Sequence, residues 1–220
     1  MKAEVQREPV RQKVVWGSRI RLAAGAAVAV LLALLATSCS QAIRSGQSPA
    51  YLILVSLQGA KGGGSNSLSY ASNLESDVIT LVPPLTGSPT VFNDLGQATL
   101  QLQLRDQGGP TTPTTPSPAN AITLTQYHVK YIRTDGRNTQ GVDVPFEFDG
   151  GLGITVSNSS TVGFTLVRNQ AKLEAPLKAL ASNLEVISMI AEVTFYGHDQ
   201  NGREVSVSGN IDVAFANFGD

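Results

Sequence analysis

A chain of 220 residues and 23.1 kDa has room for one large domain or two small ones, and 42% hydrophobic against 15% charged residues supplies a core and excludes global disorder. A net charge of −1 and a pI near 6.1 exclude a basic nucleic-acid binder. One cysteine excludes an internal disulfide framework or a Cys-only zinc cluster, and two histidines leave little for a His-based metal or catalytic cluster.

The charge is unevenly placed. Residues 1–38 hold six basic and two acidic side chains, a net of +4, which leaves ten against fifteen, −5, for the remainder. Lys2, Arg7, Arg11, Lys13, Arg19 and Arg21 precede fifteen residues, 22–36, without a polar side chain. A basic stretch, a short apolar run and then small residues is the order of a bacterial export signal, and its length places the expected start downstream of Met1. The run ends at the lone thiol. Leu35-Ala36-Thr37-Ser38-Cys39 resembles the lipobox of bacterial lipoproteins, in which a lipidated cysteine becomes the mature N-terminus. That family usually places Leu three residues before the cysteine, where this chain has Ala36. Ala36 and Ser38 also suit ordinary signal peptidase, and an uncleaved anchor helix is the third reading, short for spanning. The resemblance implies export, lipidation of Cys39 and stable membrane attachment. Ser40, where an inner-membrane retention signal would place Asp, points to the outer membrane. The expected organisation is an export signal over 1–38, a lipidated tether over 39–50 and a β-sandwich domain over 51–220.

Beyond the tether, short apolar segments alternate with turn-forming clusters. Tyr51–Leu57 reads as a buried strand ended by Gly59 and the Gly62-Gly63-Gly64 run, and Asp77–Val82 as a second stopped by Pro83-Pro84. Gln97–Leu104 alternates strictly, placing Ala98, Leu100, Leu102 and Leu104 on one face. Four prolines in Gln107–Asn120 remove ladder donors, which predicts a Pro/Thr-rich loop within one domain. Ile122–Arg133 changes parity midway, Ile122 and Leu124 sharing one phase and Tyr127, Val129 and Tyr131 the other, which predicts a bulge near Gln126. Val142–Phe148, Gly153–Val156 and Thr161–Val167 read as further strands. Gln170–Leu180 is the one helical pattern after the signal, apolar at Leu173, Leu177 and Leu180 and broken by Pro176 into one or two turns. Ile187–Tyr196 and Glu204–Phe218 form a hairpin about the Asp199-Gln200-Asn201-Gly202 turn.

Eight or nine short strands and almost no helix specify an all-β, antiparallel sandwich. Tyr127-His128-Val129-Lys130-Tyr131, with the charged turn through Asp135-Gly136, resembles the central strand and turn of fibronectin type III and immunoglobulin-like modules. The absence of tryptophan after Trp16 and of a sandwich disulfide separates the chain from antibody-type domains. Asp135-Gly-Arg-Asn138, Gly141–Pro145 and Ala191–Gly197 are also similar to segments of an uncharacterised group of bacterial lipoproteins, which implies no activity.

Candidate chemistry is sparse. Gly-x-Ser-x-Gly is absent, His128 falls within a strand and His198 at a hairpin end, so a hydrolase triad has few ways to assemble. Glu147 and Asp149 share a strand face beside Gly150-Gly151, as a solvated edge would. Asp199 and Asn201, with Asp135 or Asp149, are oxygen donors for a weak calcium site, but lack the EF-hand loop length and its terminal Glu. Gly62-Gly63-Gly64 has no following Gly-Lys-Ser/Thr and reads as a flexible loop. Tyr51, Tyr70, Tyr127, Tyr131 and Tyr196 fall mostly in strands, and so in the core rather than on a carbohydrate platform.

The expectation is a membrane-anchored, non-enzymatic binding or adhesion module of the cell envelope, with Cys39 as its lipidation site and no catalytic residue, metal or cofactor. Its partners are the membrane through the lipid and an envelope protein, with no nucleic acid. Loops 58–73, 105–121 and 197–203 are its expected working surface. A structural subunit of an envelope complex is the alternative, and an envelope hydrolase the weaker one.

Overall fold

The computed structural model describes residues 46–63 and 68–219. The expected export signal, Cys39 and the first part of the expected tether lie outside the described residues. Among the described residues no helix is long and apolar enough to cross a membrane. The compact unit begins at Gln47. Ser48 and Ala50, assigned to the tether from sequence, are buried.

Two sheets face one another. The smaller holds β1 (Ala50–Ala60), β5 (Asp94–Leu104) and β10 (Ser159–Val167) in the order β1-β5-β10. The larger holds β2 (Asn73–Asp77), β8 (Ile122–Ile132), β9 (Phe148–Val156), β11 (Ile187–Asp199) and β12 (Glu204–Ala216) in the order β2-β12-β11-β8-β9. In immunoglobulin lettering this is A-B-E packed on A′-G-F-C-C′. One departure from an antiparallel sandwich is built in: the chain leaves the small sheet after β1 and returns as β2, parallel to β12.

The alternation in β5 is realised, with Ala98, Leu100, Leu102 and Leu104 all buried. β8 resolves its parity conflict with a bulge at Thr125, the residue skipped in its pairing with both β9 and β11. Ile122, Leu124, Tyr127, Val129 and Tyr131 then all face the core. The C-terminal hairpin is continuous from Ile187↔Phe215 to His198↔Glu204 and buries Ile211, Val213 and Phe215.

Three expected elements differ. Asp77–Val82 is not one strand: β2 ends at Asp77, and Thr80–Val82 is β3, paired with β4 (Ser88–Thr90) in a separate hairpin. Val142–Glu147 is loop, because the Gly141 and Val144 main chains close on each other and Thr139 accepts from Val142, Asp143 and Val144. The Pro/Thr-rich segment contains a two-residue ladder between β6 (Gly108–Gly109) and β7 (Thr112–Pro113). The helical pattern yields two four-residue helices, α1 (Asn169–Lys172) and α2 (Leu177–Leu180), on either side of the Pro176 break.

An aromatic cluster fills the centre. The Tyr127 ring lies 5.2 Å from Phe164 and 6.3 Å from Phe148, and Phe164 stacks edge-on against Phe195 at 5.4 Å. Tyr127 and Phe164 each lie over a cross-strand glycine: a Cβ on Gly150 would stand 2.2 Å from Tyr127 Cζ, and one on Gly96 2.3 Å from Phe164 Cζ. The two tyrosines also bond across the sheets at the place where β10 leaves its register with β5. Tyr131 Oη donates to Leu166 O at 2.7 Å, and Thr165 N donates to Tyr127 Oη at 3.2 Å. Hydroxyls of one sheet thus satisfy main-chain groups that the irregularity frees in the other. Burial, with lesser contributions from Asp94 and Tyr127, raises the Tyr131 phenol far above its ordinary value, so it stays protonated as a donor. Tyr131→Phe strands the buried Leu166 carbonyl, and urea denaturation should show a loss of about 1–3 kcal/mol with an unchanged m-value.

Candidate functional site

The two ends of the sandwich differ in chemistry. At the first end the chain enters. Ala50 pairs with Leu104, Arg105 N donates to Pro49 O at 2.9 Å, and Arg105 Nε donates to Ser48 O at 2.9 Å. The 105–121 loop and the 200–203 turn sit at this same end, joined by Gln200 Nε2 donating to Ala121 O at 3.1 Å. Both loops are polar and, apart from the buried Ala121, exposed or half-buried without a large exposed apolar side chain.

Asp199 organises the turn. Its Oδ1 accepts from Asn201 N at 2.8 Å and Arg203 N at 2.9 Å, and the Arg203 guanidinium stands 3.7 Å from Oδ2. Burial alone would raise this carboxyl, but the two N–H donors, the Ser48 hydroxyl and Arg203 outweigh it and hold it below its ordinary value. The turn's N–H groups thus engage Asp199 Oδ1, while Oδ2 is buried without a hydrogen bond and faces the Arg203 guanidinium. Asp135 is similarly held, far below the usual carboxylate range, by Arg137 and Arg133, whose guanidinium nitrogens reach its Oδ2 at 2.8 and 2.7 Å. Among the described residues no group of three His, Cys, Asp or Glu side chains stands close enough to share a metal ion.

The opposite end is built around a buried ion pair that no sequence motif announced. Lys172 Nζ lies 2.9 Å from both carboxylate oxygens of Asp94 and donates to Asp77 O at 2.7 Å. Both side chains are essentially inaccessible, at 1% and 0% exposure. Asp94 also accepts from Ser76 Oγ at 2.6 Å and from Gly62 N at 2.8 Å. Burial pushes the Asp94 carboxyl up, and Lys172, Ser76 and Gly62 pull against that rise. The pair therefore ties α1, the start of β5, the end of β2 and the loop after β1 into one knot. Asn169 N donating to Asn93 Oδ1 at 2.6 Å and Phe218 N donating to Asp77 Oδ1 at 3.2 Å extend it. Gly62 is part of this knot rather than a free flexible link, because a Cβ there would stand 1.9 Å from Asn93 O.

The loops at this end expose large apolar side chains: Val82 and Leu85 in the β3–β4 hairpin, Val142 and Phe146 between β8 and β9, and Leu173, Leu184 and Val186 between β10 and β11. Leu184 is 98% exposed and Leu85 77%. Leu173, expected to face inward with Leu177 and Leu180, faces solvent, and Ala171 and Lys172 are buried in its place. The Pro176 interruption lets each short helix take its own orientation, so a single helical period does not span the segment.

The structure brings His128 together with Glu147 and Asp149, the acidic pair placed on one strand face from sequence. On the outer face of the large sheet His128 Nδ1 lies 2.9 Å from Asp149 Oδ1, and its Nε2 lies 3.7 Å from Glu147 Oε2. The row Asp149↔His128↔Thr194↔Ser208 runs across four strands, and the Thr194 and Ser208 hydroxyls bond each other at 2.8 Å. Nδ1 and Nε2 are thus both turned toward carboxylates. His198 is exposed beside the Asp199 turn and joins no such cluster, its Nδ1 lying 3.1 Å from Asp199 O. Of the five tyrosines, Tyr127 and Tyr131 are core, Tyr51 and Tyr70 are half-buried, and Tyr196 is exposed.

No family model, curated protein or solved structure matches this chain. Its physical features alone therefore select the second end, apolar in its loops and rigid beneath them, as the candidate site.

Lys172→Met leaves Asp94 buried without its cation and should lower stability by about 3–5 kcal/mol in chemical denaturation. Adding Asp94→Leu should recover only part of that loss, because Gly62 N and Asp77 O lose partners as well. For Asp199, whose folded value is depressed, the stabilisation is present above about pH 4, the unfolded value, and is lost as pH falls through the folded value. Asp199→Asn should accordingly be less stable near pH 7 and lose less stability than the parent in melts taken down to about pH 2.

Proposed function

We propose that this chain is an envelope lipoprotein, lipidated at Cys39, whose sandwich serves as a non-enzymatic docking module for another protein. The supporting observation is its polarity. The chain enters at Ser48, at the end bearing polar loops, and the exposed apolar loops stand at the other end. Only nine residue steps separate Cys39 from Ser48, about 30 Å when fully extended. An anchor at Cys39 would hold the polar end within about 30 Å of the bilayer and leave the apolar end free to face outward.

This moves the working surface. Loops 105–121 and 197–203 belong to the tethered end, whereas the described part of 58–73 lies at the apolar end, so the docking surface is assigned to that end, with 78–93, 133–147 and 168–186. Exposed leucine, valine and phenylalanine fit an apolar protein surface better than a sugar or a phosphate. The same end suits a structural subunit of an envelope complex, and a fixed stoichiometry with its partner would favour that form of the reading.

The test is intact mass and fractionation of the full-length chain made in bacterial cells. The parent should sediment with outer membranes and carry acyl mass on a chain beginning at Cys39. Cys39→Ala should lose the acyl mass and the membrane association together. A parent recovered without lipid, or still carrying its basic leader, would contradict the proposal.

A further inference from the structure

The surroundings of the Lys172–Asp94 pair are those of an acyl-transfer site. Nζ stands 2.9 Å from each carboxylate oxygen, so it lies on the plane that bisects the carboxylate. A nitrogen so placed is about 3.3 Å or less from Cγ, inside the near-attack range of about 3–3.5 Å for reacting atoms. Ser76, Asp77, Asp94 and Lys172 are all buried, which keeps bulk water from the reacting groups. Gly62 N donates to Oδ1 at 2.8 Å, where an oxyanion would form. Ser76 Oγ donates to Oδ2 at 2.6 Å, where a leaving oxygen needs a proton. Burial also pushes the Asp94 carboxyl up, toward the neutral acid that an amine can attack.

We infer that this pair is the precursor of an intramolecular isopeptide bond: Lys172 Nζ condenses with Asp94 Cγ, releases one water and ties α1 covalently to the start of β5. The inference needs no part of the anchored-module reading.

The atoms balance without a co-reactant. One proton passes from the Nζ ammonium to Oδ2, leaving a neutral amine beside a neutral acid, the charge state that exclusion of water favours. The amine lone pair forms the Nζ–Cγ bond, and the carbonyl π pair moves onto Oδ1, where the Gly62 N–H holds it. A second proton leaves Nζ for Oδ2 through the Ser76 hydroxyl. The Cγ–Oδ2 bond then breaks with its electron pair on that oxygen, water departs, and the pair on Oδ1 restores the carbonyl. The third ammonium proton stays on the amide nitrogen and keeps its present acceptor, the Asp77 carbonyl at 2.7 Å. The amide oxygen keeps Gly62 N as its donor. Two buried charges are exchanged for one hydrogen-bonded amide, and the same burial shields that amide from hydrolysis.

The experiment is a tryptic digest of the full-length chain, purified folded and read by tandem mass spectrometry. Trypsin does not cut at an acylated lysine, so the expected product is residues 62–105 joined to 169–178, one water lighter than the two together. It should predominate over unlinked 62–105 and should vanish in Lys172→Arg. Ser76→Ala retains both the amine and the carboxyl. After refolding from urea it should form the joined product about tenfold more slowly or worse, with the parent's circular dichroism. Cleavage at Lys172 with 62–105 recovered unlinked would overturn the inference. So would a water loss confined to Asp135-Gly136 or Asp149-Gly150, where an aspartate can cyclise onto its own main chain. A joined product that forms equally well in urea would overturn the role of the folded site, and an unchanged rate in Ser76→Ala the proton relay.

Discussion

Lys172 and Asp94 form an ion pair from which water is excluded, and the organisation of one whole end of the molecule follows from it. An ammonium and a carboxylate at this depth are tolerable only when every remaining donor and acceptor is engaged, and here Ser76, Gly62 and the Asp77 carbonyl complete the set. The attraction between the two ions adds little net stability by itself, and an apolar replacement would lose chiefly the partners of Gly62 N, Ser76 Oγ and the Asp77 carbonyl. Its contribution is positional. The β10–β11 connection, the switch of the first strand between sheets and the C-terminal end of β12 must all converge for its groups to be satisfied. Loops that meet on that base can display exposed leucine and phenylalanine without collapsing inward.

The strands were legible wherever side-chain period alone decides structure. Gln97–Leu104 alternates cleanly because one face packs on the opposite sheet and the other meets solvent. The parity break in β8 located its bulge to within a residue, since a single extra residue is the cheapest way to keep both phases inward. The misreadings have equally physical origins. Asp77–Val82 has strand composition throughout, but Asp77 faces inward beside the ion pair and the chain must turn there to reach the hairpin. Val142–Phe148 has strand composition too, yet its main-chain groups are consumed by a local turn about Thr139.

The candidate site was almost invisible in the sequence. Lys172 and Asp94 are 78 residues apart, and each sits in an unremarkable polar context. Their pairing exists only because the sandwich brings an E–F connection over the start of strand B. Leu85 was hidden for another reason: prolines and a glycine mark a turn, but they do not disclose that the tip residue adopts a positive φ. His128 and Asp149, in contrast, could be anticipated as neighbours once β8 and β9 were paired across the bulge in register. Polarity between the two ends emerges only when loops distant in sequence are sorted by the end they occupy.

The account stands or falls on which end of the sandwich is occupied in its working state. Hydrogen exchange read by mass spectrometry, on the lipidated protein in native envelope vesicles and on the purified protein in detergent, addresses this directly. The account predicts extra protection in the envelope for residues 78–93 and 177–186, with 105–121 and 200–203 exchanging alike in both preparations. Protection gained at 105–121 and 200–203 alone, with the hairpin unchanged, would contradict it.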